Sequence, residues 1–384
     1  MTIARLLGAA VLGAGLTVAP TGEVGMPGSD REGFGAHTPG GAGQPVYRVT
    51  SLGDGGPGTL RQALSEGYRD IRFDVAGTIE LASRLHVQGP FVTVDGTTAP
   101  PPGITLRGAG LAIRGTRRGP GGGAHDIIVR GLRVRQAIDG RSADCVEISH
   151  GASNIVLERV STSTCSDGSI DITHGAHDVT VAWSIVSNDE KTMLIGYGAH
   201  RVTVHHTLFA GGRTRNPYVT CSGTEPGSGD ACAGFTARTT TVDFRNNVVW
   251  GWADHGMRVR DGAWANVVGN LFASPDTRPE ARARALVVCR GDGVEAPETL
   301  NRCRDGGPRV RARVFAGGNV SLDGVDVDAQ ATAPAPFPAP AVTTTSACEA
   351  AHVVAAQAGV RPLDDTDRSL VAALALSGCR RSSS

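Results

Sequence analysis

The chain has 384 residues and carries equal numbers of basic and acidic side chains, 37 of each, so its formal net charge is zero. This balance lacks the basic excess that favours nucleic-acid binding, and the hydrophobic share of 40% is enough for a sizeable core. Glycine (53) and proline (21) are numerous and aromatic residues make up only 4%, which favours a fold with many tight turns over a coiled coil or helical bundle.

Residues 1–25 are predicted to be a signal peptide and leader. Arg5 precedes an apolar run from Leu6 to Ala19, which suits the hydrophobic region of a signal peptide and is short for a membrane span. A buried N-terminal helix is the alternative. No later stretch approaches about 18 uninterrupted apolar residues, so we expect a secreted protein without a membrane partner.

The eight cysteines fit an oxidising, extracellular environment. None forms the CxxC spacing of a zinc site, and an even number in a secreted chain favours disulfides. The sequence alone leaves the connectivity open, and we favour pairing of nearest neighbours. The predicted pairs are Cys145 with Cys165, Cys221 with Cys232, Cys289 with Cys303 and Cys348 with Cys379.

Residues 33–325 contain a recurring pattern of short β-branched runs separated by polar turns. Copies that start at Ser153, His177 and His200 are 24 and 23 residues apart, and self-similarity at such a period indicates a solenoid. Apolar residues alternate with a period of two inside each copy, as in strands. About 23 residues hold three short strands, so we predict an all-β domain, a right-handed parallel β-helix. The alternative is a β-sandwich, whose turns recur every 8–12 residues without a longer repeat.

The remainder of the chain is predicted to be a linker and a tail. Residues 326–345 include the Pro/Ala-rich run ATAPAPFPAPAV, which indicates an extended linker. Residues 346–384 contain two amphipathic runs, CEAAHVVAAQAGV and SLVAALAL, and we expect a short helical tail that packs against the solenoid.

Three carboxylates lie within the densest cluster of ionisable residues. Neighbouring coils of a solenoid are about 4.8 Å apart, so carboxylates from successive coils can converge on one cation. Asp144, Glu158 and Asp167 are the candidates, and their oxygen atoms suit Ca²⁺. The alternative is that these residues are turn caps and surface charges.

Two cations, Lys191 and Arg215, follow on later coils and could face the same groove. Lys191 is the only lysine among 37 basic residues, which suggests that a compact ammonium group is needed there. Ordinary surface solvation is the alternative for both residues.

The central segments resemble the secreted pectate lyases of polysaccharide lyase family 1. The resemblance is carried by NIVLERVSTSTCSDGSIDITHGAHDVTVAWSIVSNDEKTMLIG and VTVHHTLFAGGRTRNP. The opening GFGAHTPGG and the tail AGVRPLDDTDRSLV resemble bacterial members. It covers roughly residues 33–275 and returns near 346–378.

The resemblance implies a role for each candidate. Calcium carboxylates fall on Asp144 in ADCVEI, Glu158 in NIVLERVS and Asp167 in CSDGSID. Lys191 would contact the substrate carboxylate, and Arg215, which opens RNPYVT, would abstract the proton. A free guanidinium group is protonated, so neighbouring positive charges would have to favour proton loss, and Lys191 is the alternative base.

The chain departs from the family pattern at two positions. A second calcium aspartate of the family falls on Ser142, and the second arginine of the RxPxxR motif falls on Thr220. We therefore expect weak calcium binding without substrate, and one substrate-carboxylate contact is missing.

The implied activity is calcium-dependent β-elimination of 4-linked galacturonan, with an anionic polysaccharide as partner and a monomeric protein. Two alternatives stay open. A galacturonan hydrolase on the same fold would use close aspartates, among them Asp171. A non-catalytic polysaccharide-binding β-helix would use neither Lys191 nor Arg215.

Overall fold

The structure is a computed structural model, and the chain divides into two compact units, Met1–Arg31 and Glu32–Ser384. The predicted signal peptide lies outside the described residues. In the part of the chain that the structure describes, no helix has the length and apolar character needed to cross a membrane. The described residues are 31–115, 123–137, 144–188, 190–221, 239–275, 278–290, 303 and 310–379.

Short strands dominate the described residues. In chain order they are β1 Val46–Val49, β2 Arg69–Phe73, β3 Gly77–Glu80, β4 Leu85–Val87, β5 Val92–Asp95, β6 Ile104–Gly108, β7 Leu111–Arg114, β8 His125–Arg130, β9 Leu132–Ala137, β10 Val146–Ser149, β11 Ser153–Glu158, β12 Ser161–Cys165, β13 Ile170–Ile172, β14 His177–Ala182, β15 Ile185–Ser187, β16 Met193–Ile195, β17 His200–His205, β18 Leu208–Ala210, β19 Tyr218–Thr220, β20 Thr241–Arg245, β21 Val248–Trp250, β22 Met257–Arg260, β23 Trp264–Val268, β24 Leu271–Ala273, β25 Leu286–Val288, β26 Arg313–Gly317 and β27 Val320–Ser321. The α-helices are α1 Leu60–Ala63, α2 Pro279–Arg282, α3 Ala347–Gln357 and α4 Asp365–Ala372, and short 3-10 helices cover Gly96–Thr98, Asp328–Gln330 and Leu376–Gly378.

The strands form three parallel sheets, and successive coils add one strand to each. Sheet 1 has the order β1-β2-β5-β8-β11-β14-β17-β20-β23-β26, sheet 2 the order β4-β7-β10-β13-β16-β19-β22-β25, and sheet 3 the order β3-β6-β9-β12-β15-β18-β21-β24-β27. Ser153 pairs with His177 and His177 with His200, which confirms the predicted repeat for these coils. The next coil is longer, because Val202 pairs with Val242. The predicted parallel β-helix is confirmed, and its right hand stays a prediction.

Alternation within the strands builds the core. Ile155 and Leu157 on β11 and Val179 and Val181 on β14 are fully buried inside the coil. Burial of each such side chain contributes about 1.5–3 kcal/mol, which holds successive coils together. Residues between these positions point outward, and this parity decides which side chains can reach a ligand.

Terminal segments cover the outer face of sheet 1. The Gly35 backbone N–H donates to Thr180 Oγ1 at 2.9 Å, and a Cβ at Gly35 would stand 2.3 Å from the Ile155 carbonyl oxygen, so only glycine fits. The segment predicted as a linker is extended and lies on the same sheet. There the Phe337 ring packs 4.6 Å from the Trp264 ring.

The C-terminal tail contains the two predicted helices, and they pack against sheet 3. Ser346 caps α3 and Asp364 caps α4, each by accepting a backbone N–H. Arg135 on β9 donates to Asp367 of α4 at 2.8 Å, which fixes the tail on the solenoid.

Three of the four predicted disulfides are confirmed, and the fourth includes Cys232, which lies outside the described residues. The confirmed pairs are Cys145–Cys165, Cys289–Cys303 and Cys348–Cys379.

Candidate active site

Four of the predicted site residues stand immediately before strands of sheet 2, on consecutive coils. Asp144 precedes β10, Asp167 precedes β13, Lys191 precedes β16 and Arg215 precedes β19. The Cys145 N–H donates to the Gly168 carbonyl oxygen at 3.0 Å, and Lys191 forms a parallel bridge with Thr214. A spacing of one coil therefore brings these four residues into one column beside the outer face of sheet 2.

Gly168 brings two carboxylates against the same stretch of backbone. Its N–H donates to Asp144 Oδ1 at 2.9 Å. A Cβ at Gly168 would stand 2.5 Å from Asp171 Oδ1 and 3.0 Å from Asp144 Oδ1. Any side chain here would displace both carboxylates, so glycine is required for their approach.

The two carboxylates gathered at Gly168 carry charge that their surroundings oppose. Burial, followed by the nearby negative charge of Asp167, raises the pKa of Asp144 to about 6. Burial also raises the pKa of Asp171 well above its usual range, with Asp144 as the next cause, although the positive charge of Arg215 acts in the opposite direction. A cation placed among these oxygens would relieve the cost of both charges.

Lys191 already supplies one such cation. Its Nζ atom lies 2.5 Å from Asp167 Oδ1, and both side chains are about one-third exposed, so the pair is accessible to solvent. The Asn188 side-chain amide donates to the carbonyl oxygens of Asp167 (2.7 Å) and Lys191 (3.1 Å). This amide ties the two loops together and holds the ion pair at the edge of sheet 2.

Arg215 is held by its backbone at a left-handed position, with φ of 64°. Its carbonyl oxygen accepts hydrogen bonds from the Met193 N–H at 2.8 Å and from the Thr192 hydroxyl. The guanidinium Cζ lies 5.7 Å from the centre of the Tyr218 ring, within the range of a cation–π contact. The backbone is thus fixed on one side while the guanidinium group extends over the outer row of sheet 2.

The structure contradicts the position predicted for Glu158. This residue ends β11 in sheet 1, in register with Arg130 and Ala182, and its negative charge raises the pKa of Arg130. Glu158 and Asp167 are nine positions apart, less than half a coil, so the chain has passed to another side of the solenoid between them. Glu158 therefore does not join the carboxylates at Gly168.

Asp171 is the carboxylate that completes the cluster. It lies between Ile170 and Ile172, which are fully buried, so parity turns its side chain outward from sheet 2. The Leu194 N–H donates to Asp171 Oδ1 at 3.1 Å. The signal in the sequence was the run SDGSID, where two aspartates four positions apart belong to one loop and the strand that follows it.

The two departures from the family pattern have different outcomes. Ser142 lies outside the described residues. Thr220 is buried at the end of β19, and its hydroxyl donates to Asp261 Oδ2 at 2.8 Å. Asp261 in turn lies 2.8 Å from Arg260 Nε, so position 220 belongs to a closed polar group.

The aspartate cluster suits a hard divalent cation in its chemistry. Asp144, Asp167 and Asp171 offer oxygen atoms, which are the ligands that calcium prefers, and the missing side chain of Gly168 leaves room between them. Among the described residues, no group of three or more His, Cys, Asp or Glu side chains is already arranged to enclose a metal ion. The cluster would therefore hold calcium together with oxygen atoms of substrate or water, after Lys191 leaves Asp167.

Comparison with known proteins identifies relatives. No family model matches the chain. A probable pectate lyase C of Emericella nidulans is 35% identical over 269 residues, which cover 69% of this chain and 56% of that protein. A probable pectate lyase C of Aspergillus terreus is 32% identical over 279 residues, covering 70% and 59%. The chain is a relative of the pectate lyases.

Solved pectate lyases share the fold of this relative. A pectate lyase from Bacillus sp. N165 in complex with trigalacturonate matches with a TM-score of 0.63 and 18% identity, over 86% of this chain and 98% of that one. The major allergen from cedar pollen matches with a TM-score of 0.65 and 21% identity, over 86% and 92%. Pectate lyase C from Erwinia chrysanthemi, solved with Ca²⁺, matches with a TM-score of 0.54 and 16% identity, over 88% and 99%.

The relationship has two limits. The chain spans only 56–59% of the length of these curated pectate lyases. Those relatives are fungal, so they do not support the bacterial origin suggested by the opening and tail segments.

Proposed function

We propose that the protein is a secreted, monomeric, calcium-dependent pectate lyase of polysaccharide lyase family 1 that cleaves 4-linked galacturonan by β-elimination. One observation carries the proposal: three aspartates, an ammonium group and a guanidinium group meet in one column beside sheet 2. The sequence similarity to pectate lyases supports the same reaction. The similar structures that contain trigalacturonate or Ca²⁺ support the substrate class and the ion.

Asp144, Asp167 and Asp171 would hold the calcium ion. Bound calcium would neutralise the uronate carboxylate and stabilise the negative charge that develops when the adjacent C5 proton leaves. Asp171 takes the place first predicted for Glu158, because it shares the Gly168 backbone with Asp144. The raised pKa values of Asp144 and Asp171 support this assignment, since a cation would favour their ionised forms.

Lys191 and Arg215 would act on the substrate. On substrate binding, Lys191 exchanges its ion pair with Asp167 for one with the uronate carboxylate, which keeps an opposite charge beside the ammonium group. Arg215 extends over the same row and would take the C5 proton. The electron pair of the broken C–H bond forms the C4–C5 double bond as the C4–O bond breaks, which leaves an unsaturated product.

A galacturonan hydrolase is the second candidate, because Asp144 and Asp171 approach the same backbone and have raised pKa values. A hydrolase needs one protonated carboxylic acid and one ionised carboxylate near the glycosidic bond. It has no evident use for Lys191 and Arg215 in the same column. The lyase therefore accounts for more of the site.

Product analysis on polygalacturonate tests the proposal. We expect ultraviolet absorbance from unsaturated product in the presence of calcium, loss of that absorbance after chelation, and recovery when calcium is restored. New reducing ends without absorbance would identify a hydrolase, and neither product would identify a binding protein. Full activity after exhaustive chelation would overturn the calcium assignment.

A further inference from the structure

Arg258 lies on the outer row of sheet 2 that also carries Asp171. Register pairs join Asp171 to Leu194, Leu194 to Tyr218, and Tyr218 to Arg258. Val219 and Val259, the next residues on β19 and β22, are fully buried, so Tyr218 and Arg258 point out of the solenoid. Neighbouring strands are about 4.8 Å apart, which places Arg258 within a few coils of the aspartate cluster.

Tyr218 brings this arginine and the candidate base together. The Arg258 Cζ atom lies 4.1 Å from the centre of the Tyr218 ring, and the Arg215 Cζ atom lies 5.7 Å from the same centre. Both distances are within the range of cation–π contacts. One aromatic ring thus holds two guanidinium groups side by side on the outer row.

The neighbouring row cannot provide the same charge to a ligand. Thr220, Arg260 and Asp261 are all nearly buried, and they contact one another at 2.8 Å through Asp261 Oδ2. Asp261 neutralises Arg260, and the Thr220 hydroxyl is engaged as a donor. A substrate on this side of Arg215 would meet the half-buried Arg258 rather than these residues.

We propose that Arg258 binds a uronate carboxylate one subsite away from the reacting sugar, on the Arg215 side of the site. The planar guanidinium group suits a carboxylate, and stacking on Tyr218 orients it before the substrate arrives. Arg258 then supplies the contact that is missing at Thr220, from the next coil rather than from the same strand. This inference rests on the proposed function, and it makes Arg258 a determinant of preference for free over methyl-esterified galacturonan.

Kinetics on two substrates tests the inference. We compare kcat and KM of wild-type protein and Arg258→Gln on unesterified polygalacturonate and on highly methyl-esterified pectin. A charge-assisted hydrogen bond lost from one subsite predicts a KM on polygalacturonate that rises about tenfold or more, and a preference for the free acid that falls by a similar factor. Arg258→Lys should retain part of the preference, because it keeps the charge.

Arg313→Gln is the matched control. Arg313 lies on β26 of sheet 1, and its Cζ atom stands 5.3 Å from the centre of the Trp264 ring. This variant removes a comparable cation–π contact from a different face, and we expect its substrate preference to match that of wild type. Melting temperatures of all variants show whether each has folded.

An unchanged preference in folded Arg258→Gln would overturn the inference, and so would an equal loss on both substrates, which indicates a purely structural role. If wild-type protein forms no unsaturated product, the proposed function fails, and binding of trigalacturonate in the presence of calcium then decides on Arg258. A dissociation constant about tenfold higher in Arg258→Gln than in wild type would support its carboxylate contact. Equal affinities would overturn it.

Discussion

The outer faces of sheets 1 and 2 both carry a buried aspartate, and the two aspartates differ in how their charge is balanced. Asp243 on sheet 1 is 1% exposed and accepts hydrogen bonds from Arg245 at 2.7 Å and from Asn266 at 2.9 Å. Asp171 on sheet 2 is 9% exposed and shares its surroundings with Asp144, and its pKa is raised. The first face neutralises its acids with its own residues, whereas the second gathers acids that need a cation from elsewhere. This difference separates structural charges from charges that serve a ligand.

The largest expected effect concerns the arginines of the two faces. Arg215→Lys keeps a positive charge but removes the planar group, so a role as base predicts that kcat falls by about a hundredfold or more. Arg245→Lys on sheet 1 should leave kcat near the wild-type value, because its partner is the structural Asp243. The measurement is the rate of unsaturated product formation at saturating polygalacturonate. A near-wild-type kcat in Arg215→Lys would transfer the role of base to Lys191.

The two aspartates provide the next test. Asp171→Asn should weaken calcium binding by about tenfold or more, since one charged oxygen ligand is lost. Asp243→Asn should leave calcium affinity unchanged and lower the free energy of unfolding by about 1–3 kcal/mol, because Arg245 loses its charged partner. Calorimetric calcium titration and denaturant unfolding give both quantities. Similar effects of the two substitutions on calcium affinity would remove the distinction between the faces.

The pH dependence of stability sharpens the comparison for Asp144. Its folded-state pKa of about 6 lies above the usual value, so between about pH 4 and 6 the folded protein keeps a proton that the unfolded chain releases. This contribution stabilises the fold at low pH and is lost as the pH rises through 6. Asp144→Asn cannot ionise, so in chelator it should gain stability relative to wild type, by on the order of 1–2 kcal/mol, as the pH rises from about 4 to 7.

Urea unfolding of both proteins across this pH range measures the gain. Comparison with wild type cancels the opposite contribution of His205 and His206, whose pKa values burial lowers to about 3 and 4. Saturating calcium should reduce the gain. A stability difference that stays constant with pH would count against the raised pKa.

The smallest effect is expected at Glu158, which ends a strand of sheet 1. Glu158→Gln should change calcium affinity and kcat by less than about twofold, because the residue lies on a different sheet from the aspartate cluster. Asp167→Asn is the matched substitution within the column, and it should weaken calcium binding and release Lys191. A tenfold loss of calcium affinity in Glu158→Gln would restore its predicted role as a ligand.

The repeat is the feature that the sequence reveals most directly. Spacings of 23 and 24 residues predicted the register of His177 and His200 and brought Asp144, Asp167, Lys191 and Arg215 to consecutive coils. A repeat length alone does not say on which side of the coil a residue lies. Glu158 was therefore grouped with Asp167, while Asp171 was considered only for a hydrolase. The turns between the three strands decide this point, and their positions depend on packing inside the coil.

Arg258 could not be predicted from the repeat. It pairs with Tyr218 at a separation of 40 residues, because the chain between β19 and β20 is longer than in the preceding coils. Two residues on neighbouring strands are thus separated by nearly two repeat lengths in the sequence. Only the sheet register brings them together.

The ion pair of Lys191 and Asp167 gives the protein an unusual chemical handle. Lys191 is the only lysine, so the chain carries a single side-chain amine, and that amine stands beside the aspartate cluster. An amine-directed reagent would modify one side chain, and its rate would depend on whether the ammonium group is held by Asp167 or by a bound uronate. Mass spectrometry of the labelled chain could then measure occupancy of the site without turnover.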